Sequence, residues 1–169
     1  MSVDIGDCVV YCGSEICRVS ERVKRCFDGV NELSYLRLVP EESPSASYYV
    51  PEDKAEERIR PLLSRDEIMA VIDEMPCADA MWSDDRSERK QIFGEALRSD
   101  DYRQLLGIMK GLYLEKKKRS SGGKQLISSD ERALSVAEKL MHKEFAAVLG
   151  IPEGRVAGFI EKRLENADK

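Results

Sequence analysis

No apolar run approaches about 20 residues, so no segment is expected to cross a bilayer as a helix. The opening Met-Ser-Val-Asp-Ile-Gly-Asp lacks a basic stretch followed by an apolar one, so no signal peptide is expected either. Cations are not in excess: 27 Lys and Arg stand against 32 Asp and Glu, a formal net charge of −5. Nucleic-acid binding therefore needs a local basic face and cannot rest on bulk charge. The sequence contains no GxxxxGK[ST], no GxGxxG and no HExxH, which removes the commonest nucleotide and metalloprotease signatures. Histidine occurs once, as His142 within a helix pattern, and no flanking feature makes it a base. A nucleophilic pair of Cys77 with His142 has no supporting signature. No enzyme is read here, and no cofactor. Cysteine is odd in number, and no Cys-x-x-Cys pair exists among Cys8, Cys12, Cys17, Cys26 and Cys77. Structural zinc sites favour close ligand pairs on turns, so no metal is expected. Free thiols in a reducing, cytoplasmic setting are.

What is there is a soluble composition, 35% charged and 42% hydrophobic over 169 residues, enough for one domain or two small ones. Residues 4–50 read as β. Cys8-Val9-Val10-Tyr11 is a short run of strand formers, Cys12-Gly13-Ser14 is turn chemistry, and a second run spans Ile16 to Val23. Phe27-Asp28-Gly29 predicts a tight turn. Residues 32–39 alternate, with Leu36 and Leu38 on one side and Tyr35, Arg37 and Val39 on the other. Tyr48-Tyr49-Val50 is a short strand stopped by Pro51. Strands this short, over residues 1–60, close only a small barrel or a strongly bent sheet. The charged stretch 52–60 predicts a linker, ended by Pro61.

From Ser64 the periodicity is helical, and residues 64–169 predict an all-α bundle, so the fold class is α+β. Ser64-Arg65-Asp66-Glu67 is a capping box before Ile68, Val71 and Ile72, and Pro76 ends that helix. Ser99-Asp100-Asp101 caps a helix whose apolar stripe includes Leu105, Ile108, Met109 and Leu112, running out into Lys116-Lys117-Lys118-Arg119. Ser128-Ser129-Asp130-Glu131 predicts a second capping box, and Gly150 terminates the long helix it opens. A last helix starts after Pro152.

Between the first two helices lies Met81-Trp82-Ser83-Asp84-Asp85-Arg86-Ser87-Glu88-Arg89-Lys90, which holds the only tryptophan. Ser83 predicts an N-cap, which puts Trp82 on the turn before a helix and Asp84 and Asp85 in its first turn, favoured by the macrodipole. Arg86 and Lys90 share a face at i, i+4, with Arg89 beside them. An apolar plate beside cations has the parts of a minor-groove wedge: the ring enters an opened base step and the cations hold phosphates. The competing reading is a half-buried core tryptophan beside a solvated charged face.

The order of parts resembles the CarD-like family of bacterial transcription regulators. The resemblance covers nearly the whole chain. It rests on Ile5-Gly6-Asp7-x-Val9-Val10-Tyr11, Tyr35-Leu36-x-Leu38, Tyr49-Val50-Pro51 and Arg60-Pro61-Leu62. It continues through Trp82 with Arg86 and Arg89-Lys90, Ser128-Ser129-Asp130-Glu131-Arg132, and Glu144-Phe145-Ala146-x-Val148-Leu149-Gly150-Ile151-Pro152. The family commonly carries Pro-x-x-Gly after the Val-Val-Tyr, where this chain has Cys12-Gly13-Ser14-Glu15. Asp84 and Asp85 stand where some members are basic. The resemblance implies a monomeric, non-catalytic regulator. Its β module would be an SH3/Tudor-like barrel and would pair edge to edge with a lobe of the RNA polymerase β subunit. Arg18, Arg22, Lys24, Arg25, Arg37 and Tyr49 are the polymerase-contact candidates. The helical domain would contact promoter DNA at the upstream edge of the melted bubble through Trp82, Arg86, Arg89 and Lys90, stabilising the open complex. The alternative function is a protein–protein adaptor without DNA contact, which the net acidity and Asp84/Asp85 favour.

Overall fold

The alternation around Leu36 and Leu38 is that of a half-buried strand, and each of the two leucines is buried in the structure. The structure is a computed structural model that describes residues 2–167. The fold is α+β: an open, antiparallel five-stranded sheet and six helices. The chain divides into two compact units that meet in sequence at Leu62 and Leu63.

In the first unit β1 (Cys8–Tyr11), β2 (Glu15–Arg25), β3 (Leu33–Pro40), β4 (Tyr48–Pro51) and β5 (Ile59–Pro61) lie in the order β4-β3-β2-β1-β5. Among the described residues no pairing joins β4 to β5, so the sheet has two edges and is not closed into a barrel. The β1–β2 turn uses left-handed backbone at Cys12 (φ 49°) and Gly13 (φ 72°), the positive φ values that match a tight hairpin to the twist of its strands. A bulge between Val19 and Glu21 leaves Ser20 unopposed and exchanges the faces of β2. Before the bulge Cys17 and Val19 point into the core with Leu38. After it Arg22 opposes Leu36 and Lys24 opposes Ser34, while Glu21, Val23 and Arg25 oppose Arg37, Tyr35 and Leu33 on the outer face.

The charged stretch 52–60 is not a linker. It forms a 3-10 turn (Glu52–Lys54), the one-turn α1 (Ala55–Arg58) and then β5, which pairs with β1 through Tyr11↔Ile59 and Val10↔Arg60. Ala55 and Ile59 are buried beside Val9, Leu38 and Val50. So small a module gains from every apolar side chain it can bury, and that gain returns the chain to the sheet.

In the second unit α2 (Arg65–Glu74), α3 (Arg86–Arg98), α4 (Tyr102–Ser121), α5 (Ser128–Leu149) and α6 (Glu153–Ala167) enclose a core that includes Ile68, Ile72, Phe93, Ile108, Leu112, Met141, Phe145 and Val156. The capping box at Ser64 is complete: Ser64 Oγ accepts from Glu67 N–H, and Glu67 accepts from Ser64 N–H. Gly150 ends α5 in left-handed backbone (φ 68°) with its N–H on the Ala146 carbonyl. The second expected box is corrected. Ser128 already lies within α5, the N-cap is Ile127 without a side-chain bond, and Asp130 is turned inward and buried. Glu144 is also buried, and it accepts from Leu63 N–H (2.9 Å) and Tyr102 O–H (2.6 Å), tying the starts of α2 and α4 to α5.

Candidate nucleic-acid interface

The site is built on two glycines. Gly107 and Gly111 lie one turn apart on α4, and the segment carrying Met81 and Trp82 runs directly over them. Met81 N–H donates to the Gly107 carbonyl at 2.9 Å. A Cβ at Gly107 would stand 2.8 Å from Met81 Sδ, and one at Gly111 would stand 2.3 Å from the Met81 carbonyl oxygen. At Gly111 only hydrogen lets the backbone approach so closely, whereas a Cβ at Gly107 would have to displace the Met81 side chain.

Trp82 is half-buried and precedes α3. Its ring meets Phe93 at 6.0 Å between centroids and 55° between planes. The guanidinium carbon of Arg89 sits 4.5 Å from the ring centroid, a cation–π contact. The indole N–H donates to Asp84 Oδ1 at 3.1 Å. The N-cap of α3 is Asp85, not Ser83: Asp85 Oδ1 accepts from Glu88 N–H at 2.8 Å. Ser83 instead builds the turn, its hydroxyl donating to Glu88 Oε2 (2.8 Å) and accepting from Asp85 N–H (3.2 Å). The cap falls two residues later than expected because the Asp85 carboxylate takes an orphan N–H of the first turn, that of Glu88, while Ser83 closes the loop before it.

Of the four expected DNA contacts, Arg86 and Lys90 are exposed on α3. Arg89 is not available to a phosphate, and its expected role is corrected. It is 5% exposed, its Nε–H donates to Asp130 Oδ1 at 3.0 Å, and its Nη1–H donates to the Ser83 carbonyl at 2.9 Å. The second oxygen of Asp130 is buried and has no hydrogen-bond partner among the described residues. The ring and the two exposed cations share this surface with Asp84, Asp85 and Glu88, all exposed. Sequence reasoning missed Asp130, whose partner lies 41 residues away, and it missed the two glycines. Gly107-x3-Gly111 inside an apolar helix was the available signal.

The expected polymerase contacts fall on two faces of the sheet. Arg18, Arg25, Arg37 and Tyr49 share the outer face with Tyr35 and Leu33, whereas Arg22 and Lys24 point to the opposite side. Several of these cations have partners within the unit. Arg18 bonds the Gly6 carbonyl (2.9 Å) and Glu41 (3.0 Å), and Arg22 bonds the Val3 carbonyl (2.6 Å) and Glu52 (2.8 Å). Arg37 bonds Glu21 (2.9 Å) and the Ser47 hydroxyl (3.0 Å). Arg25 is exposed at the end of β2, next to the loop that carries Phe27. Phe27 stacks edge-on to Tyr35 (4.9 Å) and approaches Tyr49 (5.5 Å), leaving Phe27, Val30 and Leu33 exposed at this end of the hairpin. In the same loop the Asp28 carboxylate accepts from Asn31 and Val30 N–H, and these bonds hold its pKa below the ordinary carboxylate value.

Among the described residues no group of three or more His, Cys, Asp or Glu is placed to hold a metal, and no helix is long and apolar enough to cross a membrane. No protein-family model matches the chain, and a search of curated proteins finds no match.

Proposed function

We propose that the chain is a non-catalytic, cytoplasmic transcription regulator that acts as a monomer on RNA polymerase at promoters. The first unit serves as an SH3/Tudor-like module that binds the lobe of the polymerase β subunit. Its open edges suit strand addition, and the outer face with Arg25, Arg37 and Tyr49 suits side-chain recognition. The helical unit engages promoter DNA in the minor groove at the upstream edge of the bubble. There Trp82 enters the opened step and Arg86 and Lys90 meet phosphates. Open-complex lifetime rises because the protein binds the opened state better than the closed one.

The observation that carries this reading is the mounting of Trp82: a half-buried ring on a turn, backed by Arg89 and Phe93 and anchored over Gly107 and Gly111. A core tryptophan needs no such platform. Removing Arg89 from the phosphate contacts leaves Arg86 and Lys90, so the DNA contact has a shallow salt dependence. The test is the lifetime of promoter complexes formed by polymerase with the full chain or with Trp82→Ala. A shorter lifetime with the variant supports the reading, and an equal lifetime with a folded variant removes the DNA role.

A second reading, a protein–protein adaptor without DNA contact, is favoured by Asp84, Asp85 and Glu88 around the ring. It predicts polymerase or protein binding that survives Trp82→Ala, with no effect of the chain on promoter opening.

A further inference from the structure

We infer that Asp130 is a positioning residue for Trp82 and acts on it through Arg89; the consequence for DNA rests on the reading of Trp82 given above. The argument starts from a cost. Arg89 and Asp130 are 5% and 3% exposed, so two charges have been taken out of water. A buried pair recovers that cost only when its remaining donors and acceptors are satisfied. Among the described residues Asp130 Oδ2 has no hydrogen-bond partner, so the compensation is incomplete. Two apolar side chains in the same space would stabilise the helical unit at least as well. The pair supplies something that apolar side chains cannot, which is a planar group with a fixed orientation.

A guanidinium carries its donors in one plane. Nε–H on Asp130 Oδ1 and Nη1–H on the Ser83 carbonyl point in different directions, and together they fix that plane. The guanidinium carbon lies over the indole, 4.5 Å from the ring centroid. The Ser83 carbonyl belongs to the residue after Trp82, so the bond that orients the guanidinium also holds the backbone on the far side of the ring. On the near side Met81 N–H is held by Gly107. Asp130 comes from the first turn of α5, and it thereby couples the direction of the ring to the helical core. A wedge held in its inserting direction loses less freedom when it enters a base step. Lysine cannot replace Arg89 in this arrangement, because an ammonium is a point charge without a fork or a face.

Trp82 is the only tryptophan, so fluorescence excited beyond the absorption of the six tyrosines reads this site alone. The full chain carrying Arg89→Met together with Asp130→Leu removes the pair and leaves no buried charge behind. Its melting temperature is expected to hold or rise. Acrylamide quenching of Trp82 should rise roughly twofold, because one of the two ring faces loses its cover. Steady-state anisotropy should fall. Arg89→Lys should show the same loosening with the charge retained. Unchanged quenching and anisotropy in the folded double variant overturns the inference. If the double variant does not fold, Arg89→Lys, which keeps the charge and removes the planar fork, decides by the same two measurements. Promoter-complex lifetime separates the two proposals. A loosened ring with a lifetime insensitive even to Trp82→Ala removes the DNA role and keeps the positioning. A lifetime that falls for Trp82→Ala, beside unchanged fluorescence and lifetime in the double variant, does the opposite.

Discussion

The guanidinium of Arg89 lies over the indole of Trp82 at 4.5 Å while its Nε–H is held by Asp130 at 3.0 Å, so the face of the ring is set by a helix that begins 46 residues further along the chain. A ring mounted in this way is only half-buried, and the loss of its side chain has a bounded effect on the fold. Trp82→Ala should destabilise the helical unit by less than the ~3–5 kcal/mol of a fully buried Trp→Ala. Thermal denaturation measures that. Open-complex lifetime, followed in parallel, should fall.

The three basic residues of this segment should separate by phenotype. Arg86→Ala and Lys90→Ala should leave the fold intact and each reduce the salt slope of DNA binding by about 1. Arg89→Ala should instead cost roughly 3–5 kcal/mol of stability, because it strands the buried carboxylate of Asp130. A fluorescence-detected salt titration and a urea melt distinguish the two classes.

The glycines of the bed should behave unlike other helical glycines. Gly111→Ala places a Cβ 2.3 Å from the Met81 carbonyl, and displacing that backbone should cost on the order of 1–3 kcal/mol and shift the Trp82 emission. Gly158→Ala on α6 meets nothing within 4 Å and should stabilise by about 0.5–1 kcal/mol through helix propensity. Chemical denaturation of the two variants, side by side, tests the contrast.

Polymerase binding should depend on the face from which a cation projects. Arg25→Glu, on the outer face and exposed, should weaken capture of core polymerase with the β module still folded. Lys24→Glu, on the opposite side, should leave capture unchanged. Arg37→Glu sets a carboxylate against Glu21 and should lower the stability of the sheet, so a loss of binding there has a second cause. Surface plasmon resonance against core polymerase, with circular dichroism of each variant, reads these outcomes. Equal binding by Arg25→Glu and Lys24→Glu would sink the assignment.

The loop beside Arg25 should be acid-sensitive. Asn31 and Val30 N–H depress the folded pKa of Asp28, so the unfolded chain takes up the proton at higher pH than the folded one. By linkage, the stabilisation is fully present above the unfolded pKa and is lost as pH falls through the folded one. The Val30 and Asn31 amides should therefore keep their exchange protection through neutral and mildly acidic pH and lose it below the usual carboxylate range. Asp28→Ala should abolish that protection at neutral pH, as measured by NMR.

Much of the architecture was legible from local signals. The change from alternation to 3.6-residue periodicity near Ser64, the capping box there, the stop at Pro76 and the left-handed Gly150 each act through neighbours within a few residues. The position of Trp82 on a turn before a helix was legible for the same reason. Where two local signals competed, the local reading misplaced the detail. Ser83 and Asp85 both cap, and the carboxylate won. Ser128 looked like a cap, but Asp130 two residues on had a partner in the core.

What the sequence by itself determined is therefore the four strands before Pro51 and the helices after Ser64, their order, and the presence of one tryptophan beside three basic residues. The tertiary structure decided which of those residues reach the surface. Burial and pairing depend on groups far apart in the chain. Arg89 withdraws to Asp130, Ile59 returns to pair with β1, and a single bulge at Ser20 turns Arg22 and Lys24 away from the face of Arg18. None of these is encoded by spacing, because each arises when desolvation and long-range pairing outweigh the local preference of the segment that carries them.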